Sequence, residues 1–443
     1  MAVDLSAALL LLLLYGHVER SITTVGVDPQ QTVHLLQEQQ VSHFQQYLQI
    51  RTAHPNPDYT SAISFLTSIA NHTAPSTIRT IEFVPGKPLL ILTYLGSDPS
   101  LPSILLNSHM DSVPADVDRW SHPPFAAFTR RAQDDKCIGV QYLEALRVLK
   151  TEGFVPVRTV NVVFTPDEKI TGIDGWVEFA VSREFRELNV GFMLDEGQAS
   201  PSEDFRVFYS ERTRWRLILK AHGLPGHGSK LYDGSALENL MDAAMEISRF
   251  RDSQFDLVKS GISLPSDVIS INPMYMEAGT PSNTGFQMNM QPSEGEMGFD
   301  VHLPPTVDPD DLRTRFAEWA PRTKNMSYMV IEDGPIRSYT GRLLITPTDS
   351  SNPWWIAFEQ AITQSGGKLA KPEVLSLTTD SRFARQLDIP TLGFSPMVNT
   401  LLHQHNEFLQ DYVFLQGIQV YTHVIRALSS LLDESMLTES TIM

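Results

Sequence analysis

A single cysteine, Cys137, in 443 residues rules out any disulfide within the chain. It opens an apolar helical pattern, where a buried thiol is the expected reading. Positive charge is scarce too. Lys and Arg number 34 against 52 Asp and Glu, a net charge of −18, which argues against nucleic acid or an anionic membrane surface as the main partner. Long apolar runs are also missing. The strongest, at residues 7–15 with six consecutive leucines, falls short of the roughly 20 residues that a mature membrane span needs. It has the length of a signal-peptide apolar region, but Asp4 precedes it in place of a basic residue and His17-Val18-Glu19 makes a poor cleavage site. Residues 1–20 therefore read as an apolar leader or a signal peptide, which leaves two locations open, the cytoplasm or the secretory pathway. Internal repeats and low-complexity tracts are absent.

What remains is an ordinary globular composition, 42% hydrophobic and 19% charged. At 443 residues the chain exceeds the roughly 250 to 300 that one core supports, so two domains, or one with a large insertion, are expected. Apolar spacing predicts helices over residues 33–48 and 59–70, then strands at 81–83 and 89–94. Between roughly 213 and 333 the texture changes. A strand at 214–221 runs into Gly-Leu-Pro-Gly-His-Gly-Ser, a helix follows with Leu237, Leu240, Met241, Ala244 and Ile247 on one face, and further strands are expected near 268–271 and 287–290. That order reads as a small α+β insertion. The predicted organisation is residues 31–212 and 334–432 as one α/β catalytic domain, with a mixed sheet flanked by helices, interrupted by the α+β domain at 213–333.

The stretch Ile104-Leu105-Leu106-Asn107-Ser108-His109-Met110-Asp111 organises the rest. It reads as a buried strand that delivers His109 and Asp111 to its carboxyl end, where open α/β sheets keep their ligands. A histidine gripped by a nearby carboxylate is a well-oriented metal ligand. Asp134 stands at the start of a helix marked by Ile138, Tyr142, Leu143, Leu146 and Leu149, where a plain capping role is the alternative. Two more apolar strands end in Asp167-Glu168-Lys169 and Asp195-Glu196-Gly197, and His403 and His405 follow a strand at 390–394. Carboxylates crowded at one sheet edge repel unless a cation joins them, and a metal ion supplies that charge.

The motifs Ser-His-Met-Asp-Ser-Val-Pro, Ala-Gln-Asp-Asp-Lys-Cys, Pro-Asp-Glu, Leu-Asp-Glu-Gly, Pro-Gly-His-Gly-Ser, Thr-Asp-Ser-Arg, Gly-Phe-Ser-Pro-Met and His-Gln-His-Asn-Glu follow one another in this order. Together they closely resemble the N-acyl-amino-acid amidohydrolases of the M20 metallopeptidase family, plant members above all, over roughly residues 38–432. The resemblance implies a two-zinc, usually homodimeric hydrolase of N-acyl-L-amino acids, its catalytic α/β domain interrupted by a lid or dimerisation domain. Carried onto this chain, His109 and Glu196 would hold one zinc and His403 the other, with Asp134 bridging. Asp111 would orient His109, and Glu168 would be the general base toward a water that zinc acidifies to a pKa of about 7. His227, from the partner subunit, would steady the oxyanion. Asn289 and Arg382 would contact substrate, the guanidinium pairing with its free carboxylate.

The chain departs from that pattern at several points. Lys169 stands where the second glutamate of Pro-Asp-Glu-Glu is expected, which removes a ligand of the second zinc and sets an ammonium beside it. Thr171-Gly172 replaces a glycine pair, Gln404 replaces an aspartate, and a hairpin strand between Phe128 and Arg131 is missing. These departures keep two other readings in play: a related dipeptidase or carboxypeptidase, and an inactive paralogue that persists as a dimerising binding protein.

Overall fold

The computed structural model describes residues 29–114, 134, 136–398 and 408–432. The apolar leader, the segment around Phe128 to Arg131, His403 and His405 lie outside the described residues. No helix among the described residues is long and apolar enough to cross a membrane. The longer helices are α1 (Pro29–Gln49), α2 (Tyr59–Thr73), α3 (Lys136–Thr151), α4 (Ala236–Lys259), α5 (Pro309–Trp319), α6 (Pro353–Gln364) and α7 (Asp411–Ser429).

The chain divides into two compact units. One holds the chain up to Val207, Pro347–Lys371 and the chain from Gly393; the other holds Phe208–Thr346 and Pro372–Leu392, which carries Arg382. The main sheet is mixed. Its strands are β1 (Thr77–Glu82), β2 (Pro88–Tyr94), β3 (Ser103–His109), β4 (Val160–Thr165), β5 (Val190–Asp195), β6 (Val207–Glu211), β7 (Glu373–Leu375) and β8 (Thr391–Phe394), in the order β1-β2-β4-β3-β5-β8-β6-β7. β1, β2 and β4 pair antiparallel, whereas β4-β3 and β3-β5 pair parallel.

Every residue of β3 and β4 is buried, which explains why they read as largely apolar with no alternating polar face; the polar residues they contain, such as Asn107 and Asn161, are hydrogen-bonded in the interior. α3 lies against β3 and packs on α1, α2 and α7. The helix layer is knitted by aromatic pairs, Phe44 stacked on Phe414 at 4.7 Å between ring centroids and Tyr142 tilted against Tyr421 at 4.6 Å. Cys137 is buried in this layer, as its place in the helical pattern predicts.

In the second unit an antiparallel sheet runs in the order Met326–Glu332, Thr213–His222, Glu294–Leu303, Ser270–Ala278. Trp215, Leu217, Leu219, Phe299 and Val301 of this sheet form a core with Leu240, Ala243 and Ile247 of α4 and Phe316 of α5. α4 begins with a capping box, in which Ser235 and Glu238 each satisfy the other's backbone N–H. The sequence reading of this unit needs three corrections. α4 buries Ala236, Asn239, Leu240, Ala243 and Ile247, and leaves Met241 exposed. The strand expected near 287–290 is only a two-residue ribbon, Met290–Gln291. Two strands were not anticipated, the ten-residue Glu294–Leu303, paired on both sides, and the edge strand Met326–Glu332.

One packing constraint sets how closely α3 approaches the sheet. A Cβ on Gly139 would stand 2.6 Å from Cε1 of Phe164 and 2.8 Å from Oγ of Ser108, both fully enclosed in β4 and β3. Gly139→Ala is therefore expected to destabilise the chain by about 1–3 kcal/mol despite the higher helix propensity of alanine. The midpoint of urea unfolding measures this, and an unchanged or raised midpoint would show that the contact relaxes freely.

Candidate metal centre

β4 and β5 flank β3 in the sheet: β3 and β4 end level, His109 pairing with Thr165, and β5, in which Leu194 pairs with Leu106, ends two residues earlier. The side chains that follow these ends therefore share one edge. His109 is the last residue of β3, Glu168 opens a 3-10 turn just beyond β4, Glu196 follows β5 directly, and Asp134 stands two residues before α3. All belong to the first unit.

The His109 imidazole is buried, with its two nitrogens facing different partners. Nδ1 contacts the Asp111 carbonyl at 2.9 Å and its carboxylate at 3.1 Å. Nε2 looks toward Asp134 Oδ1 at 3.4 Å, Glu196 Oε1 at 3.5 Å and Glu168 Oε2 at 3.8 Å. Asp111 is held in turn. Its Oδ2 pairs with Nε2 of His54 at 2.9 Å and accepts the backbone N–H of Lys169 at 3.0 Å. Burial would raise the Asp111 pKa, but the hydrogen bonds from His109 and His54 outweigh it and hold the carboxyl below its usual range.

The decisive feature is Lys169. Its ammonium lies 2.7 Å from Glu168 Oε2, 3.0 Å from Asp134 Oδ1 and 3.7 Å from Glu196 Oε1. Burial opposes a charge on Lys169, but Asp134, Glu168 and Glu196 outweigh it and hold the pKa well above the ordinary lysine value. Burial and Lys169 likewise oppose a charge on His109, and Glu196, Asp111 and Asp134 overcome them, so its pKa also rises well above normal. Burial pushes Glu196 up to about 8 against the pull of Lys169.

Ligand atoms of His109, Asp134 and Glu196 all fall within 4.8 Å of one another. One imidazole and two carboxylates are a donor set suited to a divalent ion of the zinc type, and such an ion would replace the proton that the carboxylates otherwise draw onto His109. A second ion fits less well, because residue 169 offers a cation in place of a ligand.

A family model described as peptidase family M20/M25/M40 matches residues 105–427. The chain belongs to that family. Aminoacylase-1B of Rattus norvegicus is 38% identical over 404 residues, spanning 88% of this chain and 95% of that protein. Among solved folds, the aminopeptidase PepT of Bacillus cereus superposes with a TM-score of 0.66 at 14% identity, over 89% of this chain and 99% of that one. The YXEP protein of Bacillus subtilis, described as a dinuclear metal-binding peptidase of family M20, gives 0.62 at 13% identity over 88% and 98%. These two likenesses speak for the fold, a mixed α/β sheet with flanking helices.

The remaining candidates lie in the second unit. His227 is exposed on the short ribbon that pairs Gly226–His227 with Met290–Gln291, and Gly228 donates to the Asn289 carbonyl at 2.8 Å, so His227 and Asn289 are neighbours. The Ser229 N–H points at Nδ1 of His227 at 3.2 Å, which leaves Nε2 as the protonated nitrogen of the neutral ring. Arg382 is buried on the short helix Ser381–Gln386; its guanidinium donates to the Thr379 carbonyl and lies 4.3 Å from the Phe383 ring centroid.

His54 escaped the sequence reading. It reaches Asp111 because the loop before α2 pairs with the end of β3: Ser112 donates to the Thr52 carbonyl at 3.1 Å and accepts from the His54 N–H at 3.2 Å. No spacing rule links a loop histidine to a motif 57 residues on. Thr171 closes the turn at φ +126°, a region that β-branched residues avoid.

Two outcomes follow. His54→Ala should weaken divalent-ion affinity by about 10- to 100-fold, since it frees the carboxylate that fixes His109, as competition against a chromophoric chelator will show. Affinity equal to wild type would reduce His54 to loop packing. Thr171→Gly should raise stability by about 1 kcal/mol, strain relief outweighing the added chain entropy, and calorimetric melting decides this; a lower Tm would mean that the turn carries no strain.

Proposed function

We propose that this chain hydrolyses N-acyl-L-amino acids to a carboxylate and a free L-amino acid, with a zinc ion held by His109, Asp134 and Glu196. The observation that carries the reading is the buried His109 ring, fixed through Nδ1 by Asp111 so that Nε2 faces three carboxylates. The rat relative named Aminoacylase-1B supports the substrate class. When bound, zinc supplies Lewis acidity, polarising the acyl carbonyl and acidifying water.

The chain's own residues do the rest. Glu168 takes one proton from the attacking water as its oxygen joins the carbonyl carbon, and returns it to the nitrogen as the C–N bond breaks. Asp111 and His54 keep the His109 ring from turning. In this reading His227 donates from Nε2 to the developing oxyanion across a homodimer, while Asn289 and Arg382 contact substrate, the Arg382 guanidinium donating to the substrate's free carboxylate.

A second reading, an inactive dimerising protein that binds but does not turn over the same ligand, draws support from the 2.7 Å ion pair that Lys169 makes with Glu168. A related dipeptidase is the third. Release of free amine from N-acetyl-L-methionine by the zinc-loaded full chain separates them. The expected result is metal-dependent turnover exceeding that on dipeptides, with kcat falling about 10²- to 10⁴-fold in Glu168→Gln. Binding without turnover would establish the inactive protein, and faster cleavage of dipeptides the peptidase.

A further inference from the structure

Lys169 occupies space that a second metal ion would need. A second ion of the implied pattern would be held by Asp134 and by the side chain at position 169, about 2.0–2.2 Å from each ligand oxygen. Here the position-169 side chain is itself a cation, its ammonium 3.0 Å from Asp134 Oδ1 and 2.7 Å from Glu168 Oε2. Asp134 Oδ1 thus contacts both the His109 ring, at 3.4 Å, and the ammonium, at 3.0 Å, so the lysine takes up the oxygen nearest the candidate metal ligands.

The placement does not depend on a loose side chain. The Lys169 backbone N–H is tied to Asp111 Oδ2 at 3.0 Å, the carboxylate that also anchors His109. Its side chain is only 11% exposed. Electrostatics leads to the same place. Any second divalent ion beside Asp134 would enter against an ammonium 3.0 Å from the oxygen it needs, in a cluster where water does little to screen the repulsion.

We propose that Lys169 is a covalently tethered cation standing in for a second metal ion, so that this centre takes one divalent ion per chain where the Bacillus subtilis relative is described as dinuclear. The inference rests on the metal-site reading above and deepens it, because it fixes the number of ions at the site.

The test uses the purified full chain dialysed against buffered free zinc, with zinc counted by mass spectrometry and affinity taken from chelator competition. Wild type should hold one zinc. Lys169→Met, which removes the charge and keeps the stem, should still hold one but about tenfold or more tighter, because the repulsion between ammonium and ion is gone. Lys169→Glu should hold two. Two zincs on wild type, or none, would overturn the proposal, as would unchanged affinity in Lys169→Met or a count of one in Lys169→Glu. Circular dichroism checks that each variant is folded, and if Lys169→Glu is not, the affinity of Lys169→Met decides. One bound zinc without turnover of N-acetyl-L-methionine defeats the hydrolase reading and leaves this inference standing. Turnover with two bound zincs does the reverse.

Discussion

Three carboxylates converging on one buried imidazole cannot be stable on their own: each raises the cost of ionising the others, and burial raises it further. At Glu196 burial, with Asp134 and Glu168 adding to it, pushes the pKa up to about 8 against the pull of Lys169 and His109. The cluster persists because positive charge has been brought to it, from Lys169 within the chain and from the proton that the carboxylates draw onto His109. A divalent ion is a stronger version of the same remedy, and it displaces that proton. Metal affinity, the orientation of His109 and the placement of Lys169 are thus aspects of a single electrostatic constraint.

The scaffold meets that constraint through strand order. Because β4, β3 and β5 are adjacent and parallel, the residues beyond their carboxyl ends meet without any long loop having to deliver them. Asn107 links β3 to β5 in the interior, donating to Asp195 at 2.9 Å one residue before Glu196. The close seat of α3, allowed by Gly139, sets how near the start of that helix comes to β3. Packing and chemistry are coupled here in a specific way. Errors in the helix-to-sheet distance would appear as errors in the spacing between Asp134 and His109.

The strands leading to His109, Glu168 and Glu196 were legible in the sequence, since strands buried on both faces read as largely apolar runs whose acidic and histidine ends stand out, whereas the Asn107 link and the seat set by Gly139 were not. The second unit was harder. Glu294–Leu303 does alternate, burying Gly295, Met297, Phe299, Val301 and Leu303, but glycine fills the first inward position. A Cβ at Gly295 would come within 2.7 Å of Leu240, so the tight seat of α4 erased the apolar signal that would have announced the strand. α4 itself misled because Met241 matched the apolar period yet faces outward, while Asn239, polar by type, is buried and donates to the carbonyls of Gly234 and Lys324. The contact between His54 and Asp111 was invisible for another reason: it depends on a loop pairing that no local pattern encodes.

The turn beyond β4 separates a change of charge from a change of shape. The Asp167 carbonyl accepts from Ile170 at 3.2 Å and from Gly172 at 2.8 Å, and the Glu168 carbonyl accepts from Thr171 at 3.2 Å, so the backbone is hydrogen-bonded through the whole turn. It keeps this path even though Thr171 must sit at φ +126°, where a glycine would sit without strain. A turn that merely accommodated Lys169 could have relaxed by letting Thr171 fall back to negative φ and swinging the ammonium into solvent. Instead the path holds, with Glu168 and the Lys169 N–H both directed at the centre. The attraction of three carboxylates for that ammonium is in the right place to offset the strain two residues later. Lys169 is therefore better described as a component of the site than as damage to it.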